Sequence, residues 1–142
     1  MIIILDTSVL ITLLLAKGKN GAQDIVSLAK LKKLILAISI DTLEELKTVV
    51  QKNRFKKDIN YSLHKVSTFV AWYQYNSKKI KVNNNYHSPT LRDPKDNMFL
   101  QLAIASEATY LISLDKDLLT LGFINKTIIV TPRQFLEAEF NI

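Results

Sequence analysis

Two kinds of hydrophobic pattern alternate along the chain. Short apolar runs without helical spacing alternate with longer stretches in which apolar residues recur every three or four positions, as do Ile25, Leu28 and Ala29. The short runs predict five strands, at residues 1–5, 34–38, 79–82, 109–113 and 126–130. The first two resemble parallel strands that are buried on both faces. This alternation predicts a three-layer α/β fold with a mostly parallel sheet of four to five strands.

Polar residues mark the expected starts of several helices. Thr7 or Ser8 is the expected cap of the first helix, and Thr131 followed by Pro132 is a helix-start signature near the end of the sequence. No repeat, low-complexity tract or linker interrupts the 142 residues. The sequence therefore predicts a single domain over residues 1–142.

Composition narrows the class of protein. Hydrophobic residues make up 48% of the chain, which is enough for a core and too many for a disordered segment. The absence of cysteine excludes disulfides, thiol catalysis and cysteine-based zinc sites, and it fits a reducing cytoplasm. Asp6 interrupts the apolar start and lysines follow it, so residues 1–19 match neither a signal peptide nor a membrane span. We therefore expect a cytoplasmic protein without a membrane segment.

The net charge of +6 indicates a polyanionic partner only in combination with other features. Lysines cluster at residues 30–33, 51–57 and 77–81, and such clusters are by themselves usually solvated helix faces. Together with an acidic centre elsewhere in the chain, they favour a nucleic-acid partner.

Carboxylates follow or precede the predicted strands at one expected edge of the sheet. In open α/β sheets, ligands bind beyond the carboxyl ends of the strands. Four separated segments deliver acids there: Asp6, Glu44, Glu45, Asp93, Asp96, Asp115 and Asp117. Clustered carboxylates repel one another, so a cation usually holds them together. Ligands that are all oxygen, without cysteine or histidine, suit Mg²⁺ or Mn²⁺.

Two of these segments contain acids that can be separated by helical position. Asp93 can cap the helix that Pro94 begins, whereas Asp96 lies on the same helical stripe as Phe99 and Ala103. A carboxylate on an apolar face must be hydrogen-bonded, paired or bound to a metal. This position favours Asp96 for chemistry over Asp93.

The pattern separates Glu44 from Glu45 less clearly as the acid that serves the chemistry. Glu45 lies at the border of the inner face of its helix, and Glu44 lies farther round. Asp41 with Glu44 and Thr42 with Glu45 form competing capping-box patterns, so we favour Glu45 while the choice stays open. Asp115 and Asp117 have a structural alternative too, because they can cap and support the helix after the fourth strand.

The acidic segments together resemble those of the PIN domain family. Asp6 in "IIILDTSVL" stands at the family's first acidic position, with Ser8 at its usual hydroxyl position. Glu45 in "TLEELKTVV" matches the second acid through Glu-Leu-x-x-Val. Asp96 in "RDPKDNMFLQLA" matches the third, with Asp93 as an accessory residue.

The resemblance continues to the end of the sequence. Asp115 in "YLISLDKDLL" matches the fourth acid, with Asp117 beside it. Ser113 stands where many relatives have threonine, which keeps the hydroxyl group. "TIIVTPRQFLE" resembles the ending of the VapC-like subgroup, described as toxin components of toxin–antitoxin systems. The match covers the whole chain in order, although residues 54–88 match only in pattern.

The resemblance implies a Mg²⁺- or Mn²⁺-dependent endoribonuclease, the toxin of a type II toxin–antitoxin pair. One or two ions would be held by Asp6, Glu45, Asp96 and Asp115, and a metal-activated water would attack the phosphodiester. Asp117 is a further candidate metal ligand, Asp93 and Asp117 would bind through water or tune the site, and Ser8 would orient Asp6 or a water. A cognate antitoxin and a homodimer are also implied. The RNA backbone would be neutralised by Lys52, Arg54, Lys56, Lys57 and Arg92.

The sequence alone leaves two other classes of function open. A non-catalytic PIN-like module that binds RNA or a protein is the main alternative, because the basic excess alone would satisfy it. A phosphotransfer domain also places an aspartate after a strand, but Ser8 stands where a dehalogenase-like site needs its second acid. His64 and His87 are remote from the acidic segments in sequence, and Trp72 is expected in the core or at an interface.

Overall fold

The structure, a computed structural model, describes residues 1–15, 21–83, 85–86, 91 and 93–142. Its strands are β1 (Ile2–Leu5), β2 (Ile35–Ile38), β3 (Lys78–Lys79), β4 (Tyr110–Ile112), β5 (Phe123–Ile124) and β6 (Thr127–Val130). Its helices are α1 (Thr7–Leu14), α2 (Ala22–Lys30), α3 (Ile40–Val50), α4 (Asn53–Lys56), α5 (Leu63–Asn76), α6 (Asn97–Ser106), α7 (Lys116–Leu121) and α8 (Pro132–Phe140). A 3₁₀ turn, Pro94–Asp96, leads into α6.

The strands form one mostly parallel sheet in the order β3-β2-β1-β4-β6-β5. Every pairing is parallel except that of β5 with β6. The predicted α/β fold is confirmed, and the sheet has one strand more than predicted. The additional strand is β5, which consists of two residues after Gly122 and pairs antiparallel with β6. Two residues are too few to show a strand period, so the pattern could not reveal this strand.

Helices cover both faces of the sheet. Ile3 and Leu5 point from β1 into a core shared with α1, α2, α3, α5 and α8, whereas Ile4 points into a second core under α6 and α7. This alternation along β1 is the period of two that a strand imposes, and both sets are apolar because both faces are covered. The predicted three-layer arrangement is therefore confirmed.

The order in which the chain adds strands to the sheet reverses between β1 and β4. From β1 the chain crosses through α1 and α2 to β2 on one side, and after β3 it crosses through α6 to β4 on the other side. Beyond the carboxyl ends of β1 and β4 the connecting chains therefore diverge, which opens the crevice where open α/β sheets bind ligands. The Asp6 N–H donates to Ile112 O at 3.1 Å across this point.

Two predicted caps are wrong. The cap of α1 is Asp6, which accepts from the Val9 N–H, and neither Thr7 nor Ser8 has this role. The capping box of α3 joins Ser39 and Thr42, because the helix begins at Ile40, before both predicted boxes. Glu44 and Glu45 are therefore released from capping. In the described part of the chain, no helix has the length and apolar character to cross a membrane.

Candidate metal centre

Asp6 is buried at the carboxyl end of β1 and is held on both carboxylate oxygens. Only 3% of the residue is exposed. Its Oδ1 accepts from the Val9 N–H at 3.2 Å and from the Ser8 hydroxyl at 2.5 Å, and its Oδ2 accepts from the Ser113 hydroxyl. The same side chain therefore caps α1 and faces the switch point of the sheet. Hydrogen bonds from two hydroxyls and an amide fix the orientation of the carboxylate.

Ser8 and Ser113 each connect Asp6 to the segment after β4. The Ser8 hydroxyl accepts from the Leu114 N–H at 3.1 Å, and the Ser113 hydroxyl accepts from the Asp115 N–H at 2.9 Å. Ser113 is fully buried and was not among the predicted site residues. A hydroxyl residue at the end of a strand beside an acidic segment was the available signal. The two serines join the ends of β1 and β4.

Asp115 is the N-cap of α7. Its Oδ1 accepts from the Asp117 N–H at 2.9 Å and from the Leu118 N–H at 3.2 Å. The predicted capping role of Asp115 is confirmed. Because both of these bonds go to one oxygen, the cap does not by itself exclude a second role for this carboxylate.

Asp93 and Asp96 divide the roles in the segment before α6. Asp93 is exposed and caps the 3₁₀ turn by accepting from the Lys95 N–H at 3.0 Å, as predicted. Asp96 is half-buried at the end of that turn, and Phe99 and Ala103, which share its helical stripe, are buried. Its position at the edge of an apolar face is not explained by capping.

The structure brings Asp96, Asp115 and Asp117 together. One carboxylate oxygen from each lies within 4.8 Å of the other two, and all three residues are half-buried. The segment before α6 and the start of α7 therefore meet at one point. Neither Asp6 nor Glu45 belongs to this group in the described part of the chain.

Burial and mutual repulsion disfavour the ionised forms of these carboxyls. Loss of solvation raises the pKa of Asp96 to about 7, and the charges of Asp115, Asp93, Asp6 and Asp117 add to the shift. Burial also raises the pKa of Asp6 to about 6, although the bonds from Ser113 and Ser8 oppose the shift. Asp6 thus belongs to the same electrostatic cluster as the other acids.

A sequence model described as PIN domain matches residues 2–117. The chain belongs to the PIN domain family. PIN domains are generally nucleases and typically use divalent metal ions. The matched region begins in β1 and ends at Asp117, so it contains all four predicted acidic segments. No curated protein matches the chain.

In this PIN domain the neighbouring residues Glu44 and Glu45 differ in how far they are buried. Glu45 is half-buried, whereas the Glu44 side chain is 64% exposed and pairs with Lys47 at 3.8 Å. Helix α3, which carries both, packs against α1 and approaches α6. These two helices directly follow Asp6 and Asp96. Because both glutamates lie on α3, its position does not separate them, and it is the greater burial of Glu45 that favours it over Glu44.

The predicted RNA-binding residues around α4 are all exposed, as a phosphate contact requires. They are Lys52, Arg54, Lys56 and Lys57. They follow α3, whose eleven residues extend about 16 Å from its start beside β2. Arg92 and His87 lie outside the described residues. His64 is exposed on α5. Trp72, expected in the core or at an interface, is half-buried between Phe69 and Lys30.

The donor set fits a hard divalent cation. The three clustered groups offer only carboxylate oxygen, the ligand type that Mg²⁺ and Mn²⁺ prefer. Burial and the charges of the neighbouring acids raise the pKa of Asp96, so its ionised form is disfavoured. A divalent ion would stabilise the ionised carboxylates, so the residues present suit a metal centre.

Proposed function

We propose that this PIN domain is a Mg²⁺- or Mn²⁺-dependent endoribonuclease of the VapC-like toxin subgroup, which hydrolyses RNA phosphodiesters. The observation that carries the proposal is the meeting of Asp96, Asp115 and Asp117 beside the buried Asp6. This cluster lies next to the point where the order of the sheet reverses, where such folds bind ligands.

In this proposal the catalytic acids are Asp6, Glu45, Asp96 and Asp115, and Asp117 is a further metal ligand. A bound divalent ion would activate a water and stabilise the charge that develops on the phosphate. The chain's own contribution is to hold the acids in place. Ser8 and Ser113 fix the carboxylate of Asp6, and the cap of α7 fixes Asp115. Such fixed groups need little rearrangement during the reaction.

Substrate and partners follow from the same proposal. Lys52, Arg54, Lys56 and Lys57 would neutralise RNA phosphates, and their exposure is compatible with that role. A cognate antitoxin and a homodimer stay predictions, and α5, on which Leu63 is 65% exposed, is one candidate surface for the dimer. A toxin of this kind would act in the cytoplasm, where its RNA substrates are.

The proposal is tested by incubating varied RNAs with the protein in Mg²⁺, Mn²⁺ or EDTA. We expect cleavage with either ion, none with EDTA, and at least about a hundredfold loss in Asp96→Asn. Asp24→Asn is the matched control, because Asp24 is an exposed acid in the first turn of α2. A wild-type protein that binds Mn²⁺ but cleaves no RNA would overturn the proposal.

A non-catalytic module that binds RNA or a protein is the second candidate. One observation favours it: each oxygen of Asp6 already accepts a hydrogen bond from Ser8 or Ser113, and Asp6 is not in the close group of three acids in the described chain. Calorimetric titration with Mn²⁺ distinguishes the two. Heat that disappears in Asp96→Asn supports the metal centre, and the absence of heat in the wild type supports the binding module.

A further inference from the structure

An apolar groove lies beside the edge strand β3, apart from the acidic residues of the candidate metal centre. Its volume is about 600 Å³. Ile38, Ile40, Leu43 and Ile80 supply its apolar surface, and Lys47, Lys79 and Lys81 supply positive charge. Strand β2, the start of α3 and the chain after β3 thus contribute to one concave surface.

Ile40 is the unusual residue of the groove. It is the first residue of α3, and 81% of it is exposed. It stands beside Leu43 and Ile80, so the exposed side chain extends an apolar surface that already exists. Covering an isoleucine of this kind removes apolar area from water and favours binding.

The edge of the sheet beside this groove offers backbone groups. The Ile80 N–H donates to Ile38 O at 2.8 Å, and Lys79 is in register with Ile38. In a parallel ladder, residues that bond to the neighbour alternate with residues that face away. The N–H and C=O of Lys79 therefore face the outer side of β3. An extended segment can add to an edge of this kind.

The charge around the groove selects the partner. The described lining of the groove contains three lysines and one acid, Glu44, which pairs with Lys47 at 3.8 Å. A second copy of the chain would bring Lys79 and Lys81 against the same lysines, and this repulsion disfavours self-pairing. RNA would satisfy the charge but would leave Ile40 without an apolar partner. A segment with alternating acidic and apolar residues satisfies both.

We propose that this groove binds an extended acidic segment of another protein, added as a strand along β3. Apolar side chains at alternate positions would cover Ile40 and Ile80, and acidic side chains would face Lys79 and Lys81. The inference does not depend on nuclease activity, because the groove and the acidic cluster share no residue.

The test uses the full chain and four fluorescein-labelled synthetic peptides of eight residues. Each alternates glutamate with valine, isoleucine, leucine or phenylalanine, and matched peptides carry lysine instead of glutamate. Fluorescence anisotropy measures binding, and hydrogen exchange of the Lys79 amide measures strand addition. We expect at least one acidic peptide to bind and to slow exchange at Lys79. The matched lysine peptide is expected to bind at least about tenfold more weakly.

Two variants test the surface itself. Ile40→Lys and Lys81→Glu are each expected to weaken binding about tenfold, through lost apolar burial and reversed charge. Ile59→Lys and Lys126→Glu are matched controls, because Ile59 is 95% exposed and Lys126 is exposed in the turn before β6. Both controls are expected to bind within about twofold of the wild type.

Several outcomes would overturn the inference. One is that none of the four acidic peptides binds, and another is that the lysine peptides bind equally well. Equal weakening by Ile40→Lys and Ile59→Lys would show that the groove is not the binding surface. Protection of the Lys79 amide by an RNA oligonucleotide, but not by the peptides, would assign the groove to RNA. A dimer in sedimentation that Ile40→Lys dissociates would assign it to a second copy.

Discussion

Ser113 donates a hydrogen bond to Asp6 although the two residues are 107 positions apart in the chain. Ser113 follows β4 and Asp6 follows β1, so this bond joins the two strand ends between which the sheet changes direction. The same hydroxyl accepts from the Asp115 N–H, so one side chain positions two of the predicted catalytic acids. The positions of the Asp6 carboxylate and of the Asp115 backbone therefore both depend on the hydroxyl of Ser113.

The variant Ser113→Ala tests this dependence. It removes one donor from a buried carboxylate, which costs about 1–3 kcal/mol of unfolding free energy. It also removes the acceptor for the Asp115 N–H, so we expect weaker Mn²⁺ binding and slower RNA cleavage. Urea unfolding and Mn²⁺ calorimetry measure the two effects.

Ser113→Thr is the control for that experiment because it keeps the hydroxyl. Its additional methyl group enters a fully buried position, at an expected cost of about 1–3 kcal/mol of unfolding free energy. We expect Mn²⁺ affinity close to that of the wild type in Ser113→Thr. Equal Mn²⁺ affinity in the alanine variant and the wild type would show that the hydroxyl does not position the site.

The stability of the metal-free protein should decrease as pH rises. The pKa of Asp96 is about 7 in the folded chain and near 3.8 in the unfolded chain. Between these values the folded state binds more protons, so the free energy of unfolding falls from about pH 4 to about pH 7 and then levels off. Asp6, with a pKa of about 6, adds a decrease that ends at a lower pH.

Asp96→Asn removes the larger part of this dependence. Because Asp96 is only half-buried and solvent screens its repulsion, we expect the variant at pH 8 in EDTA to be more stable than the wild type by only about 1–2 kcal/mol, and at pH 5 the difference should be small. Urea unfolding from pH 5 to pH 8 measures both. A variant that is less stable than the wild type by the same amount at every pH would contradict repulsion within the cluster.

A divalent ion should stabilise the folded wild type and make it more stable than Asp96→Asn. Binding to the folded state alone raises the free energy of unfolding by about 2.7 kcal/mol when the ion is at a hundred times its Kd. We expect Mn²⁺ to raise the Tm of the wild type at pH 7.5 and EDTA to restore it. Asp117→Asn tests whether the third acid of the cluster contributes, and Asp24→Asn is the control. An equal shift in all three proteins would indicate binding elsewhere.

Much of the fold and part of the site could be predicted because they depend on local patterns. The strand and helix periods predicted the layers, and the helical stripe through Phe99 separated Asp96 from Asp93. The missing parts depend on contacts between distant segments. The bond from Ser113 to Asp6 joins two strand ends, and no spacing in the sequence reveals which hydroxyl meets which carboxylate. The capping box of Ser39 and Thr42 was missed because nearby acids offered competing patterns.

The exposed cations around α4 provide the last test. Each lysine that contacts a phosphate adds about 0.7 to the slope of log affinity against log salt for single-stranded nucleic acid. We therefore expect Lys56→Gln/Lys57→Gln to weaken RNA binding at low salt and to reduce that slope by about 1.4, because two contacts are lost. Filter binding in EDTA, where no metal-dependent cleavage occurs, measures affinity from low to high salt.

Lys126→Gln is the control, because this exposed lysine lies in the turn between β5 and β6 and not near α4. Because Lys126→Gln removes one charge and the double variant removes two, a fall in slope about half as large in Lys126→Gln would indicate diffuse attraction by the net charge of +6. An unchanged slope in the double variant would exclude Lys56 and Lys57 as phosphate contacts. In that case the RNA must approach the acids from another side, where Lys95 and Lys116 are exposed beside Asp96 and Asp115. The same salt titration on Lys95→Gln/Lys116→Gln would then locate the path.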